Sequence, residues 1–252
     1  MTLAFRQMGS GEPLIILHGL FGSSDNWQTL GKKFAEFNEV FLVDQRNHGK
    51  SPHSDDFDYD ILADDLKDFM AQHGLLRATL LGHSMGGKTV MRFAQKYPEM
   101  VEKLIVADMG IKSYPPHHQD VLRAFHAIKP GTLTSRSEAE ERIAPIISDF
   151  GVRQFLLKNL YRSKETGYGI RANYLVLERE MDRILDPLPE GEVEIEALFI
   201  RGLKSDYVPY EDYESIRTVF PNARFVELEA GHWLHAEKAL EFFEAVKIFV
   251  TS

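Results

Sequence analysis

A chain of 252 residues with 44% hydrophobic residues, 11% aromatics and no cysteine has the apolar content of a globular protein and not of a disordered one. Its formal net charge of −9 argues against a nucleic-acid binder, which needs a basic face for phosphates. The missing cysteines exclude disulfides, thiolate catalysis and cysteine-ligated zinc or iron–sulfur centres.

In chain order, short apolar runs alternate with amphipathic ones. Residues 1–13 lack the apolar stretch of a signal peptide, and the longest apolar runs fall well short of the ~20 residues a membrane helix needs. A soluble, cytoplasmic protein without membrane insertion is therefore expected, of unknown oligomeric state. Residues 3–8 suit an outer strand and 14–17 a buried one. The second leads into His18-Gly19-Leu20-Phe21-Gly22. Gly19 lets the backbone turn there, leaving the N–H of Leu20 free as a candidate oxyanion donor, with Phe21 the second choice. His18, at the foot of the turn, reads as a structural hydrogen-bonding residue. Trp27, Leu30 and Phe34 recur at helical spacing, 40–43 is a second buried strand, and Ile61, Leu62, Leu66, Phe69 and Met70 form a helical stripe that Gly74 ends. His73 sits at that helix end, where a positive charge is favoured.

The strand expected at 79–81 meets Gly82-His83-Ser84-Met85-Gly86-Gly87, and a helical pattern follows over 88–96. The spacing Gly-x-Ser-x-Gly suits a strand that turns sharply into a helix at Ser84, since the glycines remove Cβ atoms that would collide. Ser84 is then a nucleophile at the sheet edge, and Met85 offers a second oxyanion N–H at the helix N-terminus. A five-residue pattern occurs by chance, and a Gly-rich turn with an incidental Ser is the bland alternative; the strand before and helix after argue against it. A phosphate loop fits worse, because no GxxxxGK[ST] is present.

A further strand over 104–107 delivers Asp108. From 111 to 194 no strand is expected: Pro115 and Pro116 open the stretch, helices follow around 121–128, 138–147 and 152–160, and Pro187, Pro189 and Gly191 close it. So long a stretch needs structure of its own. It reads as a helical cap, 111–194, inserted in a core formed by 1–110 and 195–252. Its apolar residues Phe125, Ile128, Ile143, Ile147, Phe155, Leu156, Tyr174 and Leu175 suit an acyl pocket or plain packing equally. His117, His118 and His126 fit no helical metal pair and receive no role. The acidic pairs and runs are read as solvated faces.

After the strand at 198–200 come Ser205 and Asp206, and after an outer strand at 225–228 comes His232, the one histidine well placed as general base. His235, three residues on, suggests a metal pair, but no carboxylate lies between and no cysteine exists, so neither metal nor cofactor is expected. A Ser–His pair needs a carboxylate to orient the imidazole. Asp108, directly after its strand, is favoured. Asp206 is the second choice, and Ser205 would support His232 or Asp108 by a hydrogen bond. A helix or turn cap is the bland reading of Asp108.

His18-Gly-Leu-Phe-Gly, Asp44-Gln-Arg-Asn-His-Gly-Lys-Ser51, Gly82-His-Ser-Met-Gly-Gly-Lys88, Arg201-Gly and Gly231-His-Trp-Leu-His-Ala-Glu237 together resemble the α/β-hydrolase superfamily, and within it the YbfF-type small esterases, over nearly the whole chain. The resemblance implies an α/β architecture: an eight-stranded, mostly parallel sheet with helices on both faces and an inserted helical cap. It also implies a carboxylesterase working through an acyl-enzyme, with Ser84 as nucleophile and His232 as base. A Ser at the place of Ser205 and an Asp at that of Asp108 are common in that family, which adds weight to Asp108; the acidic residue at 206 is a departure. The loop 44–51 would be structural, with Arg46 and His48 as its fasteners. The expected reaction is hydrolysis of a small acyl ester or thioester. Alternatives on the same fold are a carbon–carbon bond hydrolase or lyase, for which Arg171 or Arg123 would supply the cation, and a ligand receptor with little turnover. A haloalkane or epoxide enzyme is disfavoured, since its nucleophile is Asp.

Overall fold

The computed structural model describes residues 1–129, 131–163 and 167–252. Seven strands form one sheet: β1 (Phe5–Gly9), β2 (Glu12–Leu17), β3 (Asn38–Val43), β4 (Ala78–His83), β5 (Val101–Ala107), β8 (Ala197–Gly202) and β9 (Ala223–Leu228), in the order β1-β3-β2-β4-β5-β8-β9. Only β1 runs antiparallel, against β3; the other neighbours are parallel. Among the described residues, the eight-stranded expectation is thus corrected to seven. Among these described residues, β1 is the one antiparallel edge strand and leads straight into β2.

Side chains alternate across the pleat, which decides the two cores. Leu14 and Ile16 of β2, Val40 and Leu42 of β3, and Ile105 and Ala107 of β5 face one side. There α1 (Gln28–Phe34) and, near the C-terminus, α11 (Ala239–Thr251) cover them with Leu30, Phe34, Phe242 and Val246. Ile15, Leu17, Phe41, Val43, Leu104 and Val106 face the other side, under α2 (Tyr59–Gln72), α3 (Met85–Lys96) and α9 (Tyr213–Val219). Strands buried on both faces explain why these runs read as nearly unbroken apolar stretches.

Between β5 and β8 lie α4 (Gln119–Ile128), α5 (Arg136–Ile143), α6 (Phe150–Leu157), α7 (Tyr174–Arg179) and α8 (Met181–Leu185). The same stretch holds an antiparallel hairpin of β6 (Leu160–Ser163) and β7 (Gly167–Ile170). The hairpin corrects the strandless reading of 111–194. Side chains of Ser135 and Asp149 accept the backbone N–H of Glu138 and Val152, capping α5 and α6. Phe125, Ile128, Ile143 and Leu156 are wholly buried, so these four pack the segment, whereas Leu175 is exposed.

Two buried charges fasten this layout. Arg46 meets Asp65 of α2 through Nε at 2.5 Å and Nη2 at 2.9 Å and donates to the Asp56 carbonyl at 2.7 Å. His48 donates from Nδ1 to the Arg46 carbonyl at 2.9 Å, which holds the loop 44–51 shut. Lys88, on α3, is fully buried and donates to the carbonyls of Leu185 and Asp186, tying the exit of the inserted segment to the helix behind Ser84. Burial pulls its ammonium down to about 8.

Candidate active site

Every candidate group sits just beyond the C-terminal end of a parallel strand: His18–Leu20 after β2, Ser84 after β4, Asp108 after β5, Ser205 after β8 and His232 after β9. These five strands are consecutive neighbours in the sheet, so residues far apart in the chain converge on one edge.

Ser84 adopts φ 54° and ψ −121°, a conformation L-residues rarely hold, between the last residue of β4 and the first of α3. The flanking glycines show why the turn is this tight. A Cβ on Gly82 would lie 2.1 Å from the Gly86 carbonyl oxygen, and one on Gly86 would lie 2.6 Å from the carbonyl oxygens of Leu17 and His18. Strand and helix thus approach through the space that side chains would fill, and the strain at Ser84 costs of the order of 1–3 kcal/mol that the surrounding packing must offset.

Asp108 also has positive φ, 50°, and is completely buried. Its backbone N–H donates to the Ile200 carbonyl at 2.8 Å. Its carboxylate accepts the Gly202 N–H on Oδ1 at 2.9 Å, and the Ser205 hydroxyl and the His232 Nδ1–H on Oδ2, the last at 2.7 Å. The other ring nitrogen of His232, Nε2, lies 2.9 Å from Ser84 Oγ. A carboxylate holding Nδ1–H leaves Nε2 free to accept the serine proton. Asp206, by contrast, is exposed and makes no hydrogen bond to His232. Ser205 spends its hydroxyl on Asp108, not on His232.

Leu20 and Phe21 occupy the middle of a turn closed by the Gly22 N–H on the Gly19 carbonyl at 2.9 Å, with Phe21 at φ 59°. Among the described residues, the N–H groups of Leu20, Phe21 and Met85 donate to no protein acceptor. His18 holds this turn from below. Its Nδ1–H donates to the Gly19 carbonyl at 2.8 Å and its Nε2 accepts the Gln45 N–H at 3.1 Å. Burial lowers its basicity, against the pull of Asp44.

Three histidines acquire functions that their sequence positions did not reveal. His83 donates from Nε2 to the backbone carbonyl of His232 at 2.8 Å, pinning the loop that carries His232; burial drives it well below the ordinary imidazole range, with His235 and His232 adding to the effect. His117 and His118, set aside in the sequence reading, line the cavity in front of Ser84. They belong there because the segment before α4 folds back over the strand ends, which periodicity does not report. His235 is stacked on Trp27 at 4.3 Å and 12°, and burial lowers it to about 3, so it is a neutral packing group.

The cavity has a volume of about 550 Å³, within the range for small-molecule sites. The core supplies Leu20, Phe21 and Trp27, and the inserted segment supplies Val121, Val152 and Phe155. Of the eight apolar insertion residues singled out from sequence, only Phe155 reaches it. Arg123 pairs with Asp120 at 2.6 Å, and Arg171 lies over the Tyr161 ring at 4.9 Å; neither lines the cavity.

Residues 12–144 match the family model described as the alpha/beta hydrolase fold. Among curated proteins, the chain is 35% identical over 257 residues to the sn-1-specific diacylglycerol lipase ABHD11 of Danio rerio, covering 98% of this chain and 80% of that one. It is 32% identical over 245 residues to the esterase YbfF of Escherichia coli, covering 96% and 94%. Among solved structures, a marine microorganism esterase superposes with a TM-score of 0.96 at 39% identity, covering 98% of each chain. Among the described residues, no helix is long and apolar enough to cross a membrane.

Proposed function

The chain belongs to the alpha/beta-hydrolase family and is a carboxylesterase-type hydrolase, and from that premise we propose that it cleaves acyl esters through a covalent acyl-enzyme on Ser84. His232 Nε2 takes the hydroxyl proton as Oγ attacks the carbonyl carbon. Asp108 holds the ring in the required tautomer and faces the imidazolium that forms. The N–H groups of Leu20 and Met85, with Phe21 as the alternative donor, take up the negative charge on the carbonyl oxygen. His232 then returns the proton to the leaving alcohol, and water, activated by the same ring, releases the acid.

One observation carries the reading: an unbroken hydrogen-bond chain from Ser84 through His232 to Asp108, at 2.9 and 2.7 Å, beside unpartnered amides. Residues 111–194 act as a cap, since Val121, Val152 and Phe155 complete the wall opposite the sheet edge. The acyl or alcohol part of the substrate is apolar, small enough for about 550 Å³, and is carried by an oxygen or thioester sulfur. We place the action in the cytoplasm. The carbon–carbon hydrolase reading finds neither Arg123 nor Arg171 in the cavity, where Lys158 is the cation among the described lining residues. The receptor reading predicts binding without turnover.

The test is hydrolysis of p-nitrophenyl esters and acyl-CoA thioesters of increasing chain length by the wild type and Ser84→Ala. The variant should keep its circular dichroism and melting temperature and lose several orders of magnitude in kcat. Ester turnover retained by Ser84→Ala would refute the mechanism, and tight binding of the esters without wild-type turnover would favour the receptor.

A further inference from the structure

We propose that Tyr207 is a positioning residue for the base, its ring face locking the His232 imidazole in plane and stabilising the imidazolium formed when Ser84 gives up its proton. The inference rests on the acyl-enzyme reading above but concerns a residue that the hydrogen-bond chain does not include.

The two rings lie 3.8 Å apart, centroid to centroid, at an interplanar angle of 14°. A ring rotating about its own bonds to Ser84 and Asp108 would collide with that face, so the stack removes freedom that the two hydrogen bonds alone leave. An aromatic face carries negative potential, and a cation over it is attracted, more so when water is kept away. The cation here is transient: Oγ–H breaks, Nε2–H forms, and the positive charge spreads over the ring beneath Tyr207. Stabilisation present only in that state raises kcat and not merely binding.

Tyr207 is itself held on three sides. Its N–H donates to Ser205 Oγ at 3.3 Å, and Ser205 in turn donates to Asp108. Its carbonyl accepts the Tyr114 hydroxyl at 2.9 Å, whose oxygen accepts the Gly110 N–H at 2.8 Å. Its own hydroxyl reaches His117 Nε2. Because His117 Nδ1 lies 2.7 Å from the Pro115 carbonyl, which can only accept, Nδ1 carries the hydrogen and Nε2 accepts from the phenol. Burial raises the phenol above its ordinary range, so it remains a neutral donor. Donation to an imidazole makes the phenol ring more electron-rich and so a better partner for a cation. One three-residue segment therefore fixes both helpers of the nucleophile, Ser205 on the acid and Tyr207 on the base.

Several other titratable and charged groups face or neighbour His232. These are Asp108 and Ser84 from the ends of β5 and β4, His83 from β4, and His235 and Glu237 from α10 (Leu234–Glu237). The inserted segment adds His117, His118 and Lys158. Replacing Tyr207 changes the bonding of His117 alone among these, so His117→Gln is the control.

The experiment measures kcat and KM for p-nitrophenyl butyrate against pH, with wild-type turnover as reference. Tyr207→Leu should lower kcat about tenfold with KM within about twofold, and move the acid limb of kcat/KM to lower pH, because an imidazolium without the ring face forms less readily. Tyr207→Phe keeps the stack and should lose clearly less than Tyr207→Leu, and His117→Gln, which removes only the phenol's acceptor, should leave the acid limb in place. A merely structural role would change the melting temperature and leave the acid limb in place; an unmoved limb in a folded Tyr207→Leu overturns the proposal. So does a Tyr207→Phe loss as large as that of Tyr207→Leu. Proton NMR of the wild type needs no Tyr207 variant: the His232 ring protons, assigned by their loss in a folded His232→Gln, should be displaced upfield by the stacked ring, and unshifted signals contradict the stack. If the wild type fails to hydrolyse the ester, the acyl-enzyme reading falls while the NMR result still judges the stack.

Discussion

On the sheet side of the cavity, Ser84 and Asp108 are tied to backbone groups of neighbouring strands, and the His232 backbone to the His83 side chain at the end of β4. Ser84 N–H donates to Ala107, Asp108 N–H to Ile200, and the His232 carbonyl accepts from His83. On the opposite side, the inserted segment offers Val152 and Phe155 from α6, a helix of eight residues whose first residue, Phe150, is 62% exposed. A few polar ties, such as Asn159 Nδ2 to the Phe21 carbonyl at 2.9 Å, join the two sides. The contrast separates two tasks. Geometry that must hold to a fraction of an ångström is built on strand ends, while the facing wall is built on short helices of the inserted segment.

The comparison breaks most visibly on the sheet side. Asp108→Asn should cost about 10⁴-fold in kcat by presenting His232 with the wrong tautomer partner, while Asp206→Asn stays within about twofold. Equal losses in p-nitrophenyl ester assays would return the acid to the exposed loop.

Acid should loosen the same side next. His48 and His235 are pushed down to about 3, chiefly by burial. Below the ordinary imidazole value of 6.5 the unfolded chain takes up protons that the folded protein refuses. The stability these rings contribute is complete above 6.5 and is lost as pH falls from there towards 3. At pH 5 each such ring costs about 2 kcal/mol. His235→Phe keeps a stack on Trp27 and removes one ring, so its melting temperature should drop less between pH 7 and pH 5 than that of the wild type. Parallel curves would contradict this.

Removing the bond that pins the base loop, as in His83→Leu, should reduce kcat about tenfold with KM nearly unchanged. A change confined to KM would place His83 in substrate binding instead. The smallest effect belongs to the opposite wall. Phe155→Ala should shift the preferred acyl or alcohol length by a few fold in kcat/KM and leave the acid limb of the pH profile where it is.

Much of the sheet was legible because burial on both faces writes itself as apolar runs, and because Gly82 and Gly86 must be bare where strand meets helix. The convergence of Ser84 and His232 could be anticipated from strand ends alone. The choice between Asp108 and Asp206 could not be closed, because it depends on how the loop after β8 bends; the structure turns Ser205 towards Asp108 and leaves Asp206 in solvent. The hairpin of β6 and β7 went unseen, being two four-residue strands without an apolar run. Tyr207, His117 and His118 went unseen for a different reason. Their roles arise from a contact between the inserted segment and the β8 loop, and no local spacing encodes that contact.

The most direct measurement is mass spectrometry of the protein after exposure to p-nitrophenyl alkylphosphonate, which traps an attacking hydroxyl as a stable adduct. The account predicts one adduct per chain, on the peptide containing Ser84, forming in the wild type and not when His232 is replaced by Gln. Full esterase activity surviving in the labelled protein, or an adduct on another residue that accompanies inactivation, would contradict it.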